Sequence, residues 1–416
     1  MLFCVDELKA RKMPQLITKI LGSRPKQSAY QYDDVIMNWI YSVLCDCYHL
    51  NGTTALRSSF TEIPGIKFPS HDVIGRVFKS LATPNIVFHR EEGKKPHEMN
   101  LNIPMNELLI ATACKLGLLN QMTGYTLDFD ATVVATEKAD SQFTYKQFFG
   151  YNPSVAFLGN SIPVFIEGKS GATHAAFKMA DTLGTIMELL SKQNVKVARL
   201  RSDAAAFSQS VVEFCTDRGI EFFIRAKRSK GLYEQLEHVE WTPCEIGHIP
   251  QELASIRYDF GGKDYRVVVH RRKLHGDDKT DDTGYLKDGY MYRSIMTNNY
   301  TMSDEQVIRF YAKRGAVERN FTNLNEFNFE NLPFSYLNEN CVFMIVCAMG
   351  YVMYQHLLRK FSGKLPWIRK NLMPKTFIKH FIFVTMIWVV ENGIKVAELD
   401  SDGIRDYSPL YSRPPS

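Results

Sequence analysis

Between Gly124 and Lys227 the chain changes segment type in an order that few folds accommodate. GYTLDFDATVV, SVAFLG and SIPVFIEG are rich in β-branched and aromatic residues and read as three strands, the last two joined by a turn around Asn160. A helix over about 176–192 follows, then the strand VKVARLRSD ending at Asp203, a helix over 207–218, and the strand EFFIRAK. Three strands, helix, strand, helix, strand is an α/β arrangement, and in open α/β sheets the chemistry sits outside the strand ends. Asp203 occupies such an end. Asp128 and Asp130, two residues apart in the first strand, point to the same face. Neighbouring buried carboxylates repel unless a cation lies between them, so a metal ion would account for the pair; a surface turn at the strand end would also do so.

A second feature lies downstream. In YAKRGAVERNF the residues Tyr311, Arg314 and Glu318 are spaced by three and four, which on one helix sets phenol, guanidinium and carboxylate on a narrow stripe. Ser303 is placed to cap that helix, with Asp304 and Glu305 at the positive end of its dipole. Val307, Phe310, Val317, Phe321 and Leu324 form an apolar stripe beside the polar one. Taken alone, Arg314 and Glu318 read as a surface ion pair worth roughly 0.2–0.5 kcal/mol. Joined with two acids from strands, a helical carboxylate instead completes the donor set of a two-metal phosphoryl-transfer site.

The remainder of the chain frames these segments. Residues 1–100 read as a helical N-terminal domain, with YDDVIMNWIYSVLCDCYHL as one helix and another starting at Ser70. Such helices serve either as a DNA reader or as packing, and composition does not choose between them. His89–Asn100 is charged and reads as a linker, followed by a helix over about 104–118. From 228 to 301 strand-like pieces alternate with polar turns, a β-rich insertion ahead of the helix that bears Glu318. Another apolar helix over about 339–358 leads to a basic C-terminal region, 361–416, whose last ten residues read as disordered. The apolar runs 341–354 and 381–390 are too short to span a bilayer and read as buried core. Met1–Lys12 lacks the apolar centre of a secretory signal, and the eight cysteines form no CxxC pair, so the expectation is a cytosolic protein with free thiols. The formal net charge of +5 matters less than its distribution: Lys and Arg gather near the N-terminus, at 225–230, 271–273 and 359–379, as suits a long polyanion.

Asp130, Asp203 and Glu318, the insertion between the second and third acids, and Y-x2-R-x3-E together resemble a bacterial insertion-sequence DDE transposase, of the type with the signature Y-x2-R-x3-E-x6-K. LDFDAT around Asp130, RSDAAAF around Asp203, Thr297–Asn298 and ERNFTNLN after Glu318 carry the same resemblance, which spans roughly residues 20–400. In the fourth position of the signature Asn325 replaces lysine; it can donate a hydrogen bond to a phosphate but brings no charge. The resemblance implies a ribonuclease H-like catalytic core, 101–227 with 302–360, in which Asp130, Asp203 and Glu318 hold two Mg2+ ions, with Mn2+ as a substitute. It also implies that Tyr311, Arg314 and Asn325 contact double-stranded DNA at the transposon ends, and that two copies act as a homodimer on DNA. Asp130 rather than Asp128 is the expected ligand, because it fits LDFDAT. Asp140 and Asp181 read as ordinary polar positions, His174 as a helix-end residue and Trp241 as a core aromatic.

Overall fold

A computed structural model describes residues 1–63, 65–120, 124–159, 161–274, 285–382, 386–391, 394–399 and 407–410. Five helices open the chain: α1 (Leu2–Ala10), α2 (Met13–Leu21), α3 (Tyr32–Leu44), α4 (Thr53–Thr61) and α5 (His71–Ser80). Ser70 stands at the N-cap of α5, as its sequence implied. Strands β1 (Ile86–Phe88) and β2 (His97–Asn100) come next, then α6 (Ile103–Lys115). The expected linker is therefore only partly one: Met99 and Asn100 pair with Lys169 and Gly168, and Met99 and Asn100 are buried. Charge in HREEGKKPHE hid a strand that needs only two inward residues.

The central segment follows the expected order. β3 (Gly124–Ala131) precedes a small sheet of β4 (Val134–Ala135), β5 (Gln142–Phe143) and β6 (Phe149–Tyr151). Then come β7 (Ser154–Leu158), β8 (Ile162–Lys169), α7 (Met179–Lys192), β9 (Lys196–Ser202), α8 (Gln209–Asp217) and β10 (Glu221–Arg225). In space the strands run β8-β7-β3-β9-β10. The β8–β7 and β7–β3 pairs are antiparallel, whereas β3–β9 and β9–β10 are parallel. The turn expected at Asn160 lies outside the described residues.

The β-rich stretch holds a short helix, α9 (Lys230–Glu234), and strands β11 (Thr242–Ile246), β12 (Ile249–Asp259), β13 (Asp264–Lys273), β14 (Tyr285–Lys287) and β15 (Tyr290–Thr297). It prolongs the main sheet, because β15 pairs antiparallel with β10 and the order continues β15-β13-β12-β11. The acidic loop GDDKTDDTG falls in 275–284, outside the described residues.

The segment after β15 departs from the single helix expected. α10 (Asp304–Ala312) ends in a 3-10 turn, Lys313–Gly315, before α11 (Ala316–Asn325). Its start matches: Ser303 accepts from Gln306 N while Gln306 caps in return. The tighter turn at 313–315 rotates Arg314 off the ideal helical stripe, and glycine at 315 adds little to helical persistence.

The hydrophobic centre is α12 (Leu337–Ser362), packed on α3, α5, α6 and β8. It is long and apolar enough to cross a membrane, but its apolar window is 94% buried inside the protein, as expected for a core helix. Trp39 of α3 meets Phe343 at 5.4 Å between ring centres. One cluster of buried side chains runs from Cys4 through the sheet to α12, so the N-terminal helices share a core with the α/β segment. All eight cysteines are free, and Cys4, Cys215, Cys341 and Cys347 are buried. Beyond α12 come α13 (Pro374–Phe377), continued by a π-helical turn at Ile378–Ile382, a hairpin of β16 (Met386–Glu391) and β17 (Ile394–Leu399), and a 3-10 turn at Ser408–Leu410. Of the apolar run 381–390, Phe381 and Ile382 are buried, and the remaining side chains lie outside the description. Of the last ten residues, Tyr407 is buried with its ring 5.4 Å from that of Trp367, and residues 411–416 lie outside the described residues.

Candidate active site

Two carboxylates meet because β3 and β9 are parallel neighbours. Phe129 pairs with Ser202, so the next residues, Asp130 and Asp203, emerge side by side at the strand ends. Ser202 Oγ donates to Phe129 O at 2.8 Å and locks that register. Asp130 accepts from Ala131 N at 3.0 Å, and Asp203 caps the turn that follows it by accepting from Ala205 N at 2.9 Å. Asp130 is the more enclosed, with 16% of its side chain exposed against 42% for Asp203.

A cation already lies between them. Arg314 Nη2 is 2.5 Å from Asp130 Oδ2 and 3.9 Å from Asp203 Oδ2. The partner of Arg314 is thus an acid 184 residues away rather than nearby Glu318 on α11, and the surface-pair reading of Arg314 and Glu318 does not hold. Burial pushes the Asp130 carboxyl up to about 6, with Arg314 opposing and Asp203 reinforcing the shift.

One layer deeper is a second ion pair. Asp128 and Arg201 are register partners on β3 and β9, and their side chains form two bonds, Nε to Oδ1 at 2.6 Å and Nη2 to Oδ2 at 2.7 Å. Both are fully buried, and Arg201 Nη1 donates to Phe310 O at 2.8 Å, which ties α10 to the sheet. Asp128 is therefore committed to structure while Asp130, on the same face, is presented to the site. Tyr311 is buried too, and its hydroxyl donates to Ser202 O at 3.2 Å, directly beneath Asp203.

Glu318 is exposed on α11 and lines the same cleft as Asp203 and Arg314, a space of about 910 Å3. The opposite wall comes from the end of β10 and from the insertion: Arg225, Lys227, Arg228, Arg293 and His270. Arg293 and His270 are cross-strand partners. Burial, then Arg225 and Arg293, push the His270 imidazole down to about 3, so it is neutral at physiological pH. Its Nδ1 lies 2.6 Å from Gln251 Oε1. The sequence signalled part of this wall through its basic patch at 225–230; Arg293 and His270 gave no signal, since strand pairing brings them there. The patch at 271–273 is split by strand alternation, and Arg271 stacks 3.9 Å from the Trp241 ring away from the cleft. Asn325 ends α11 and is not among the residues lining the cleft; its Oδ1 is buried without a hydrogen-bond partner.

The donor set suits a hard divalent cation, which prefers carboxylate oxygens, and Arg314 shows that Asp130 and Asp203 can share one positive charge. Among the described residues no three His, Cys, Asp or Glu side chains are close enough to hold one ion, so Glu318 shares the cleft with Asp203 without joining the acid pair.

The site thus holds two carboxylates at the ends of adjacent parallel strands, with Glu318 and the cations Arg225, Lys227 and Arg228 lining the cleft that Asp203 borders. The family comparison agrees: a model of the transposase DDE domain, group 1, matches residues 12–365, and the chain belongs to that family. No curated protein matches the chain.

Proposed function

We propose that the protein is an insertion-sequence transposase that cuts DNA at the ends of its element and joins them to target DNA. The observation that carries this reading is the convergence of Asp130 and Asp203 on one guanidinium, with Glu318 lining the same cleft. The strand order β8-β7-β3-β9-β10, antiparallel then parallel, supports a ribonuclease H-like core extended by the β-rich insertion.

Asp130, Asp203 and Glu318 would hold two divalent ions, Mg2+ or Mn2+, which supply an activated hydroxyl nucleophile and charge stabilisation at the leaving oxygen. Arg314 keeps the two strand-end acids together in the free protein and would be free to pair with a DNA phosphate if a divalent ion took its place between them. Tyr311 and the Asp128–Arg201 pair hold the ends of β9 and β3 in place. Arg225, Lys227 and Arg228 offer the phosphate backbone a wall of positive charge. Two copies bridge the two inverted repeats of one element in the cytoplasm, on the nucleoid.

Incubating the protein with duplexes carrying the inverted repeats that flank its gene, in Mg2+ or in EDTA, tests this. Metal-dependent nicking at the element boundary, lost in Glu318→Ala, is the expected result; specific binding with no nicking under any metal would replace the enzyme with a DNA-binding repressor.

A further inference from the structure

Helix α11 divides two cavities. Glu318 lines the catalytic cleft, whereas Ala316, Arg319 and Asn323, spaced by three and four on the opposite face of the helix, line a second cavity of about 950 Å3. α12 supplies its other wall through Gln355, Leu358 and Arg359, and the returning segment Lys370–Pro374 closes a third side. The walls are bonded to one another. Asn323 Nδ2 donates to Tyr351 OH at 3.1 Å, the Tyr354 hydroxyl donates to Leu372 O, and Lys375 N donates to Glu326 Oε2 at 3.2 Å. These bonds join α11, α12 and the returning segment around the cavity, and the acid pair uses none of them.

The lining combines three kinds of group. Arg319, Arg359 and Lys370 come from three separate elements and are all exposed, and no Asp or Glu lines the cavity among the described residues. Cations gathered without a carboxylate set a positive potential that favours an anion carrying several charges. Leu118, Ile162, Leu358, Leu372 and Met373 offer apolar surface to an apolar body. Between them stand amide side chains, of which Gln355 is the most telling: its Nε2 donates to Ser161 O at 3.3 Å, while its Oε1 is buried without a hydrogen-bond partner. A buried acceptor of this kind calls for a donor from whatever fills the cavity.

An inorganic anion would meet the cations and leave the apolar surface bare. An acyl carboxylate would cover that surface but bring one charge and no donor for Gln355. A nucleotide whose base carries an amino group answers all three. We propose that the cavity between α11 and α12 binds a free nucleoside triphosphate with an amino-substituted base: the base lies on the apolar surface with its amine toward Gln355 Oε1, and the phosphates lie among Arg319, Arg359 and Lys370. The site is separate from the acid pair, so its occupation needs neither DNA nor a divalent ion.

Adenosine triphosphate labelled on its ribose with N-methylanthraniloyl is titrated with the full chain in EDTA, and binding is read by fluorescence anisotropy. Unlabelled adenosine triphosphate should displace the probe, and inosine triphosphate, which carries a carbonyl oxygen in place of the amine, should do so about tenfold less well. Arg319→Ala and Lys370→Ala, both at exposed positions, should each weaken binding about tenfold with unchanged thermal melting. Gln355→Leu should make the two nucleotides compete equally, and Arg228→Ala, on the wall of the catalytic cleft, should bind the probe as wild type does. The wild-type preference for adenosine over inosine triphosphate tests the Gln355 contact even where the leucine variant fails to fold. No binding of the probe, equal binding by wild type, Arg319→Ala and Lys370→Ala, or equal competition by the two nucleotides in wild type would overturn the proposal. So would full displacement of the probe by an inverted-repeat duplex, which would assign these cations to DNA phosphates.

Discussion

Two ion pairs, one residue layer apart on the same pair of strands, have opposite characters. Asp128–Arg201 is sealed, doubly bonded and tied to α10; Asp130–Arg314 is singly bonded, open to a cleft and shared with Asp203. The lower pair satisfies its charges within the fold, so it works as a clamp. The upper pair satisfies them with a side chain from a short turn that can leave. The comparison teaches that position on a face does not decide a carboxylate's role: the partner does, set by strand register for Asp128 and by the 3-10 turn that carries Arg314 for Asp130.

Substitutions can break the contrast from either side. The largest effect is expected from Asp130→Ala or Asp203→Ala, which should lower cutting of an inverted-repeat duplex by at least about a thousandfold, on the order of 4 kcal/mol, with end binding retained. Retained cutting in a gel assay would remove that residue from the site. Arg201→Ala should instead unfold the protein more readily, by about 3–5 kcal/mol in urea melts, since it strands a buried carboxylate. Replacing both Asp128 and Arg201 by apolar residues of similar volume should recover much of that loss.

Asp130→Asn sharpens the contrast through pH. The folded carboxyl titrates at about 6, above its ordinary value, so between roughly pH 4 and 6 the folded state holds a proton that the unfolded chain has lost. Stability in wild type should therefore fall as pH rises through that window and level off above it. Asp130→Asn should remove this dependence and be more stable at pH 7 by about 3 kcal/mol, while failing to cut. A flat wild-type profile of melting temperature against pH over the same range would contradict the assignment. The smallest effect is that of Arg314→Ala, which should reduce the slope of log K against log salt for end binding by about one. An unchanged slope would take Arg314 out of the DNA contact.

Much of the frame was legible in the sequence. β-branched alternation marks β3, β7, β8, β9 and β10, Ser70 and Ser303 mark helix starts, and α12 announces itself by an unbroken apolar run. Asp130, Asp203, Arg314 and Glu318 were nameable, and all four border the site. What stayed hidden depends on register and on local strain. Asp128 finds Arg201 only because β3 and β9 pair in parallel with those residues opposed. Arg314 reaches Asp130 through a 3-10 turn that helical periodicity does not foresee. The hairpin 142–151 escaped notice because its strands are two and three residues long and its aromatic residues face solvent, so no hydrophobic period forms.

The most direct test of the central claim, that Asp130 and Asp203 form an exchangeable cation site whereas Asp128 does not, is an electron paramagnetic resonance titration with Mn2+ of the protein on its inverted-repeat duplex. Wild type should take up Mn2+ tightly, Asp130→Asn and Asp203→Asn should lose that uptake, and Arg314→Ala should keep it. Wild-type Mn2+ affinity in both aspartate variants would contradict the account.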